Sequence, residues 1–479
     1  MRSKRPGVGA VAGSFRLAAR SAHAPRRHQH GSDAPAHNAG LFDPSVPSLR
    51  RGGIRERSDR IPPAARRPHT ALFAAIAVVL CAVACPADDG PLVAVKAGRI
   101  LTMDGAPVEG GTILIEDGKV RRVARGFDVP EDAIVIDATA SVVMPGLVDA
   151  NALFGLRGDS NEQSDEITPA FRVAGAVDRA DRPLKRAVQL GTTTIRISPG
   201  NNNVVAGAGA VEKTAGERLG DVLVSDGGDV KVVMGNDSTG GNEVPWSQRP
   251  DSFYYRQPTT RMGVVWLLRK CLFDAQTAVG EGAELSESDT VLAAALAGDL
   301  PVTVAVRSAV DIETTFHIAD EFGLRRLVLT ECAEGYKMAA EIARRKVPVI
   351  LGPSYAYPRS WPERSEGWDV NWNNAGLLAE AGVLIAIASN EPGRPVDLLA
   401  RAAMAVRHGL SEDDALRAVT VNPAEILGVQ DRVGSLAKGA DADLLILSGD
   451  PLDVTTRIEK VIIEGRVVFD AGSGVDVDG

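Results

Sequence analysis

The chain has 479 residues, of which 44% are hydrophobic, 24% charged and 4% aromatic, a composition typical of a globular protein with an aliphatic core. The net charge of −9 is unevenly spread: residues 1–70 hold 14 basic and 4 acidic residues, a balance of +10, which leaves −19 for the remainder. An acidic body argues against nucleic acid as a partner, because phosphate binding needs clustered positive charge.

The first 84 residues have the pattern of an export signal. Residues 1–65 are low in complexity and lack apolar periodicity, so we expect a disordered basic head over 1–70 that is removed or never translated. An apolar run, Ala71–Ala84, follows two arginines, is too short to span a bilayer and ends in the small-residue cleavage site Ala82-Val83-Ala84. This order favours a signal peptide (apolar core 71–84) over a buried helix and predicts a periplasmic or extracellular protein.

Cys85 follows the cleavage site directly. Ala82-Val83-Ala84-Cys85 is a weak lipobox, so a lipid anchor at Cys85, making the protein a membrane-anchored lipoprotein, and simple release by signal peptidase are both open. Because no methionine lies between Met1 and Met103, we expect translation to begin at an internal non-Met codon. Beyond residue 85 the cysteines are Cys271 and Cys332, and export would allow them to pair.

Short strands open and close the body. Turn signals such as Asp117-Gly118 and Glu464-Gly465 separate β-branched runs. The predicted strands are Leu92–Ile100, Gly111–Glu116 and Val120–Ala124 at one end, and Asp443–Leu447, Ile458–Glu464 and Val467–Asp470 at the other. We expect residues 91–143 and 434–475 to form one composite β-sandwich domain.

Residues 144–433 alternate strands with helices. Repeated units of this length imply a parallel sheet, and about eight of them predict an α/β fold, a (β/α)8 TIM barrel with its active site at the C-terminal ends of the strands. Predicted helices include Thr259–Ala275, Asp289–Ala297 and Ser411–Val419, the last with Ser411 as its N-cap, and residues 281–289 read as an acidic loop. The predicted strands are Gly146–Ala150, Thr192–Ser198, Lys231–Met234, Pro301–Val306, Arg326–Leu329, Val347–Leu351 and Gly382–Ala388.

Several stretches resemble the amidohydrolase superfamily, in its imidazolonepropionase-like branch. Val143-Met144-Pro145-Gly146-Leu147-Val148-Asp149-Ala150 is similar to the entry to the first barrel strand of that family. Ala415-Leu416-Arg417-Ala418-Val419-Thr420-Val421-Asn422-Pro423-Ala424 resembles its last barrel helices, and Gly434-Ser435-Leu436-Ala437-Lys438-Gly439-Ala440-Asp441-Ala442-Asp443-Leu444 resembles the return to the β domain. The resemblance runs from about residue 92 to 470. These motifs form turns and packing contacts and carry no chemistry themselves.

The resemblance implies zinc or another divalent metal, held by a His-x-His pair after the first strand, one His on each of strands five and six, and an Asp that ends strand eight. Here those positions fall on residues that do not make such a site: Asn151, Leu153, Ala305 or Arg307, Glu331 and Asn390. Leucine cannot bind a metal, and asparagine has no basicity with which to accept a proton. The body's two histidines, His317 and His408, fall on or at the ends of helices and read as surface or capping residues. We therefore predict no metal and no other cofactor.

Charged residues near the vacated positions suggest two local arrangements. In the first arrangement, Arg307 and Glu331 form an ion pair that occupies part of the metal site. The alternative is that Arg307 points to solvent. The second concerns the glycine-rich stretch 207–216, which reads either as a tight turn or, with Arg196 and Lys213, as an anion-binding site. Residues 237–247 read as a mobile loop over the mouth of the barrel. Glu331, Asp149 and Arg307 are weak candidates for metal-free acid–base catalysis.

Three functions stay open. The favoured interpretation is an exported, metal-free degenerate hydrolase, a pseudoenzyme that binds a small-molecule ligand or partners an active relative in a homo- or hetero-oligomer. The first alternative is a hydrolase of non-peptide or cyclic C–N bonds that works by metal-independent acid–base chemistry. The second is a structural subunit of a hetero-oligomer. Whether the chain is an enzyme is left undecided, because fold does not fix function.

Overall fold

The computed structural model describes residues 92–156, 158–162, 164–239, 242, 257–352, 369–391 and 393–473. The predicted basic head, the signal-peptide core and Cys85 lie outside these residues, as does most of the loop expected over 237–247. In the described ranges, no helix combines the length and the apolar character that a membrane span requires.

Seventeen strands occur in the described residues. They are β1 Val93–Ile100, β2 Val108–Glu116, β3 Lys119–Ala124, β4 Ile134–Pro145, β5 Leu147–Ala152, β6 Thr192–Ile197, β7 Val205–Gly207, β8 Ala210–Lys213, β9 Leu223–Asp226, β10 Val230–Val233, β11 Val302–Val306, β12 Leu327–Glu331, β13 Val349–Leu351, β14 Ile385–Ile387, β15 Leu444–Leu447, β16 Ile458–Ile463 and β17 Arg466–Asp470.

The same ranges contain ten α-helices. They are α1 Arg182–Gln189, α2 Leu219–Val222, α3 Arg261–Glu281, α4 Glu287–Ala297, α5 Ala309–Phe322, α6 Ala339–Arg345, α7 Asn374–Glu380, α8 Leu398–Arg407, α9 Glu412–Arg417 and α10 Val421–Ile426.

The two ends of the body meet in one seven-stranded sheet with the order β17-β16-β15-β4-β1-β2-β3. The long strand β4 joins them, because it runs parallel to β1 on one side and antiparallel to β15 on the other. Alternate side chains of these strands, among them Val95, Ile113 and Leu444, are buried in one apolar cluster. Strands from sequence positions more than 300 residues apart thereby share a core.

The central segment forms the barrel. β5 and β6 are parallel, and β10 to β14 form a continuous parallel run. Antiparallel β8 borders β6 and antiparallel β7 borders β10, where an ideal barrel would carry a further parallel strand. The ends of β14 and β5 are joined by a backbone hydrogen bond from the Asn390 N–H to the Asn151 carbonyl, at 2.9 Å. The residues that follow parallel strands therefore gather at one mouth.

The helices cover the outside of the barrel, and their ends follow capping rules. Ser286, Ser308 and Ser411 each accept a backbone N–H of the first turn, which confirms Ser411 as an N-cap. The predicted end of α3 was wrong, since the helix continues to Glu281 and stops at Gly282 in the left-handed conformation. The acidic loop expected over 281–289 is therefore shorter, because its two ends belong to α3 and α4.

A buried ion cluster joins the barrel to the seven-stranded sheet. The Lys213 ammonium, on β8, lies 2.6 Å from Asp443 Oδ2 and 2.9 Å from Asp441 Oδ2. Lys119 and Arg432 also contact Asp441, at 2.6 and 3.0 Å. Burial raises the pKa of the Asp441 carboxyl, but Lys213 and Lys119 outweigh it and hold the pKa below its usual value. We call these five residues the junction cluster.

Candidate functional site

Two asparagine side chains lie together at the mouth of the barrel. Asn151, in β5, donates a hydrogen bond from Nδ2 to Asn390 Oδ1, at 2.9 Å. Asn390 follows β14 and in turn donates from Nδ2 to the carbonyl of Gly352, at 2.9 Å. Both asparagines are 1% exposed. Two of the positions at which the sequence lacks metal ligands are therefore linked by an amide–amide hydrogen bond.

A second group of polar residues surrounds the end of β12. Arg307 forms an ion pair with Glu331 through Nε, and its Nη1 lies 2.6 Å from Asp237 Oδ1. Asn201 donates from Nδ2 to Glu331 Oε1 at 2.6 Å and to Asp237 Oδ2 at 3.1 Å. The ion pair suggested by the sequence is present, and it is part of a larger network that includes Asp237 and Asn201.

The backbone at the end of β12 is strained in a way that fixes Glu331. Glu331 and Cys332 have φ values of 69° and 48°, in the left-handed region that non-glycine residues rarely adopt. The Cys332 N–H donates to the Val306 carbonyl at 2.7 Å, and Asn374 Nδ2 donates to the Cys332 carbonyl at 2.9 Å. These bonds hold the turn against β11 and direct the Glu331 carboxylate toward Arg307.

Two more cations lie inside the barrel below this network. Lys231, on β10, is 1% exposed and donates to the Pro199 carbonyl at 2.6 Å. Burial lowers the pKa of its ammonium to about 7, although the carboxylates of Glu331, Asp229 and Asp237 oppose the shift.

Arg196, on β6, is the second of these cations. It forms an ion pair with Asp229 and also donates to Ser198 Oγ and Asn151 Oδ1, at 3.2 and 3.5 Å. It therefore connects the asparagine pair to the barrel interior. Together with Lys231 and Arg307, it gives the interior and the mouth of the barrel three basic side chains close to three carboxylates.

Comparison with known proteins identifies the family. A family model described as "Amidohydrolase family" matches residues 279–468. The crystal structure of an amidohydrolase from Thermotoga maritima MSB8 is 31% identical in sequence, covers 79% of this chain and 100% of its own, and superposes with a TM-score of 0.71. The chain belongs to the amidohydrolase superfamily. The predicted fold class, an amidohydrolase barrel with an accessory β domain, is confirmed.

Curated relatives narrow the position within the amidohydrolase superfamily. The imidazolonepropionase of Maricaulis maris is 25% identical over 399 residues, 75% of this chain and 93% of that protein, which agrees with the predicted imidazolonepropionase-like branch. Amidohydrolase tasK of Hapsidospora irregularis is 26% identical over 412 residues, 75% of this chain. The chain spans only 40% of the length of tasK.

The residues at the mouth do not fit the metal that the superfamily resemblance implies. A transition-metal site needs several converging His, Cys or carboxylate ligands. Across the described parts of the chain, no group of three such residues is placed to hold an ion. Glu331 and Asp237 already bind Arg307, and the amides of Asn151 and Asn390 bind each other. The permanent positive charge of Arg307, beside both of these carboxylates, would also oppose a divalent ion.

The proposed acid–base residues do not come together as a carboxylate pair. Asp149 accepts backbone N–H groups from Ser389 and Asn151, at 3.0 and 3.2 Å, and so ties β5 to the residues after β14. Burial raises the pKa of its carboxyl, and those hydrogen bonds only partly oppose the shift. Glu331 has a different set of partners, Arg307 and Asn201. Asp149 is therefore a residue that holds two strand ends, whereas Glu331 lies with Asp237 in the network at the mouth.

The suggested anion site does not form, because its two basic residues lie in different parts of the structure. Arg196 binds Asp229 inside the barrel, whereas Lys213 binds Asp441 and Asp443 in the junction cluster, so neither cation is available to a shared anion. Gly207 and Gly216 do have φ values of 96° and 141°, as the turn interpretation required.

The other residues singled out in the sequence lie outside the polar network at the mouth. Ala305 is buried in β11, two residues before Arg307, and Leu153 contributes only its carbonyl, which accepts from the Gly393 N–H at 3.0 Å. His317 is exposed on α5, and His408 stacks on Trp372 at the end of α8. Cys271 and Cys332 are free thiols, and burial raises the pKa of each to about 12.

Sequence reasoning missed four polar residues of the site: Lys231, Asp229, Asp237 and Asn201. The signal for the first two was present, since Asp229-Val230-Lys231 places two charges in a strand that is otherwise apolar. Asn201 lies in a run of three asparagines, and Asp237 lies at the start of the loop expected over 237–247. Nothing in the sequence paired either of them with Glu331, which is 130 residues from Asn201.

Proposed function

We propose that this protein is a metal-independent member of the amidohydrolase superfamily that binds a small polar ligand at the mouth of the barrel without hydrolysing it. The hydrogen bond between Asn151 and Asn390 carries the proposal. It joins two of the positions from which metal ligands are missing, and neither amide can activate water as a base.

The charge distribution supports the same conclusion. A catalytic metal would supply positive charge that activates water and stabilises an oxyanion. Here the positive charge belongs to Arg196, Lys231 and Arg307, which are paired with Asp229, Asp237 and Glu331 or lie close to them. The guanidinium groups of Arg196 and Arg307 stabilise the carboxylates but cannot take a proton from water.

An open hydrogen-bonding position supports ligand binding. Asn201 Oδ1 is buried and has no partner among the residues that the structure describes, while its Nδ2 binds Glu331 and Asp237. A buried acceptor without a donor is costly, so a ligand or an ordered water that supplies an N–H or O–H group would bind there favourably. The ligand we expect is small and has a hydrogen-bond donor.

The test is an assay of cyclic amides and dipeptides with the purified protein, with added zinc and after chelation. We expect no turnover in any condition, and we expect binding, seen as a rise in Tm, that Asn201→Ala removes. Turnover that zinc supports and chelation abolishes would contradict the proposal.

Metal-free turnover would favour the acid–base alternative. In that case Glu331→Gln should abolish activity, because Glu331 is the buried carboxylate of the mouth. The matched control is Glu321→Gln, the same chemical change in an exposed pair with Arg269.

We also propose export, which rests on the N-terminal sequence pattern, and a role beside an active relative, which rests on the family. N-terminal sequencing of the native protein tests the first: a chain that begins at residue 1 would contradict cleavage near Ala84. Co-purification with a relative that keeps its histidines would favour the partner role, and a complex without ligand binding would favour a structural subunit.

A further inference from the structure

A cavity opens at the end of the barrel opposite to Asn151 and Asn390. Its lining residues Asp229, Pro301 and Arg326 all come directly before parallel strands, which places the cavity at the N-terminal end of the barrel. It encloses about 560 Å³, open solvent at its entrance included. Apolar side chains form its walls: Val211, Val328, Ile350, Ile426 and Leu427.

The inner end of the cavity carries a neutral pair of charges. Arg196 and Asp229 both line it and are 2% and 7% exposed. Arg196 approaches closely because Gly209 has no side chain: a Cβ at that position would lie 2.9 Å from the guanidinium carbon. Each carboxylate oxygen of Asp229 accepts from Arg196 and keeps a further lone pair, so the pair can still accept hydrogen bonds from a third group.

Thr303 adds an unused hydroxyl at the same place. It lies beside Lys231 in the pairing of β11 with β10, lines the cavity and is 4% exposed. Its Oγ makes no hydrogen bond to any residue in the described ranges and is accessible from the cavity. A bound molecule can therefore accept a hydrogen bond from this hydroxyl.

We propose that this cavity binds a small neutral molecule with a primary amide head group and a short aliphatic body. The amide N–H groups donate to Asp229, and the amide carbonyl accepts from Thr303. A charged head group is disfavoured, because the Arg196–Asp229 pair is already neutral and a buried net charge has no counter-ion there. The cation and anion at the rim, Arg326 and Glu425, are exposed to solvent.

The experiment measures binding of isobutyramide to the full-length protein by ligand-observed NMR and calorimetry. Isobutyrate and methyl isopropyl ketone have the same body but lack the N–H donors. We expect saturable binding of the amide, weaker by at least about tenfold for the other two, and a loss of about tenfold in Thr303→Val. Thr112→Val, a strand threonine of the seven-stranded sheet, is the matched control and should bind as the wild type does.

Two further variants separate this cavity from the mouth of the barrel. Ser225→Leu fills the cavity from β9 and should remove amide binding, whereas Asn201→Ala alters only the mouth and should leave it unchanged. The proposal is overturned if isobutyramide does not bind saturably, if the acid or the ketone binds equally well, or if Thr303→Val and Ser225→Leu bind as the wild type does. Equal loss in Asn201→Ala would place the ligand in the mouth and also overturn it.

Discussion

The junction cluster and the mouth of the barrel are both built from buried ion pairs, yet they differ in what surrounds the charges. In the junction cluster, Lys213 lies between Asp441 and Asp443, and the charges hold together two parts of the chain that are 230 residues apart. At the mouth, Glu331 lies on a turn with two left-handed residues and pairs with Arg307, beside an oxygen of Asn201 that has no partner in the described residues. The junction cluster is saturated with partners, whereas the mouth keeps strain and an open acceptor.

That difference distinguishes charged residues that stabilise the fold from charged residues that can bind a ligand. A buried pair whose members all have partners, and which faces no cavity, stabilises one arrangement of the chain and offers nothing to a ligand. A strained turn that presents a carboxylate at the C-terminal end of a barrel strand is in the position where barrels of this kind do chemistry or bind. We therefore expect substitutions in the junction cluster to change stability most, and substitutions at the mouth to change binding more than stability.

The largest effect should come from Lys213→Met. It leaves Asp441 and Asp443 without their shared buried cation, which should lower the free energy of unfolding by about 3–5 kcal/mol. Chemical denaturation measures the loss. The double variant Lys213→Met/Asp441→Asn should recover part of it, and a double variant as unstable as the sum of the singles would show that the two residues do not interact.

Arg307→Met should destabilise the protein less, by about 1–3 kcal/mol, because Glu331 keeps its hydrogen bond from Asn201. The same variant should weaken ligand binding at the mouth, since Arg307 holds in place the two carboxylates to which Asn201 donates. Arg307→Lys keeps the charge but loses the two-pronged contact with Asp237, so its effect on both quantities should be intermediate. A fully stable Arg307→Met that still binds ligand would remove the distinction between the two regions.

The sequence predicted the architecture well because turn and packing motifs carry it. Gly146 shows why: a Cβ there would lie 2.1 Å from the Thr193 hydroxyl, so the entry to the first barrel strand needs glycine. The ion pair of Arg307 and Glu331 could also be predicted from the sequence, because Arg307 follows β11 and Glu331 ends the neighbouring strand β12.

The rest of the site depended on loop geometry. Asn201 reaches Glu331, and Asp237 reaches Arg307, only because the residues after β6 and β10 come together at the mouth. Local sequence carries no signal for that. The same limit explains the suggested anion site, in which Lys213 was assigned to the mouth although β8 directs it toward Asp441.

Lys231 should make stability depend on pH. In the unfolded chain its pKa is near 10.5, whereas burial lowers it to about 7 in the folded protein. Between these values the unfolded chain holds a proton that the folded protein has released, so stability rises with pH; below about 7 the full cost of the buried charge is present. Relative to Lys231→Met, the wild type should gain unfolding free energy from pH 7 to 10. A constant difference would contradict the burial of this charge among Glu331, Asp229 and Asp237.

The smallest effect should come from Glu321→Gln, which breaks an exposed pair with Arg269 on the outside of the barrel. Solvent screens such a pair, so we expect a loss of about 0.2–1 kcal/mol and unchanged binding. Thermal unfolding in low and high salt checks it. A larger loss of unfolding free energy would mean that ion pairs on the surface of this barrel stabilise it as much as the buried ion pairs do.

The most direct test of the metal-free mouth is the zinc content of the purified full-length protein. After incubation with excess zinc and removal of unbound ions, inductively coupled plasma mass spectrometry should find far less than one zinc per chain, and the same low value in Asn151→Ala. One tightly held zinc per chain, lost in Asn151→Ala or Asn390→Ala, would contradict the account, because it would mean that the two amides separate to make room for a metal.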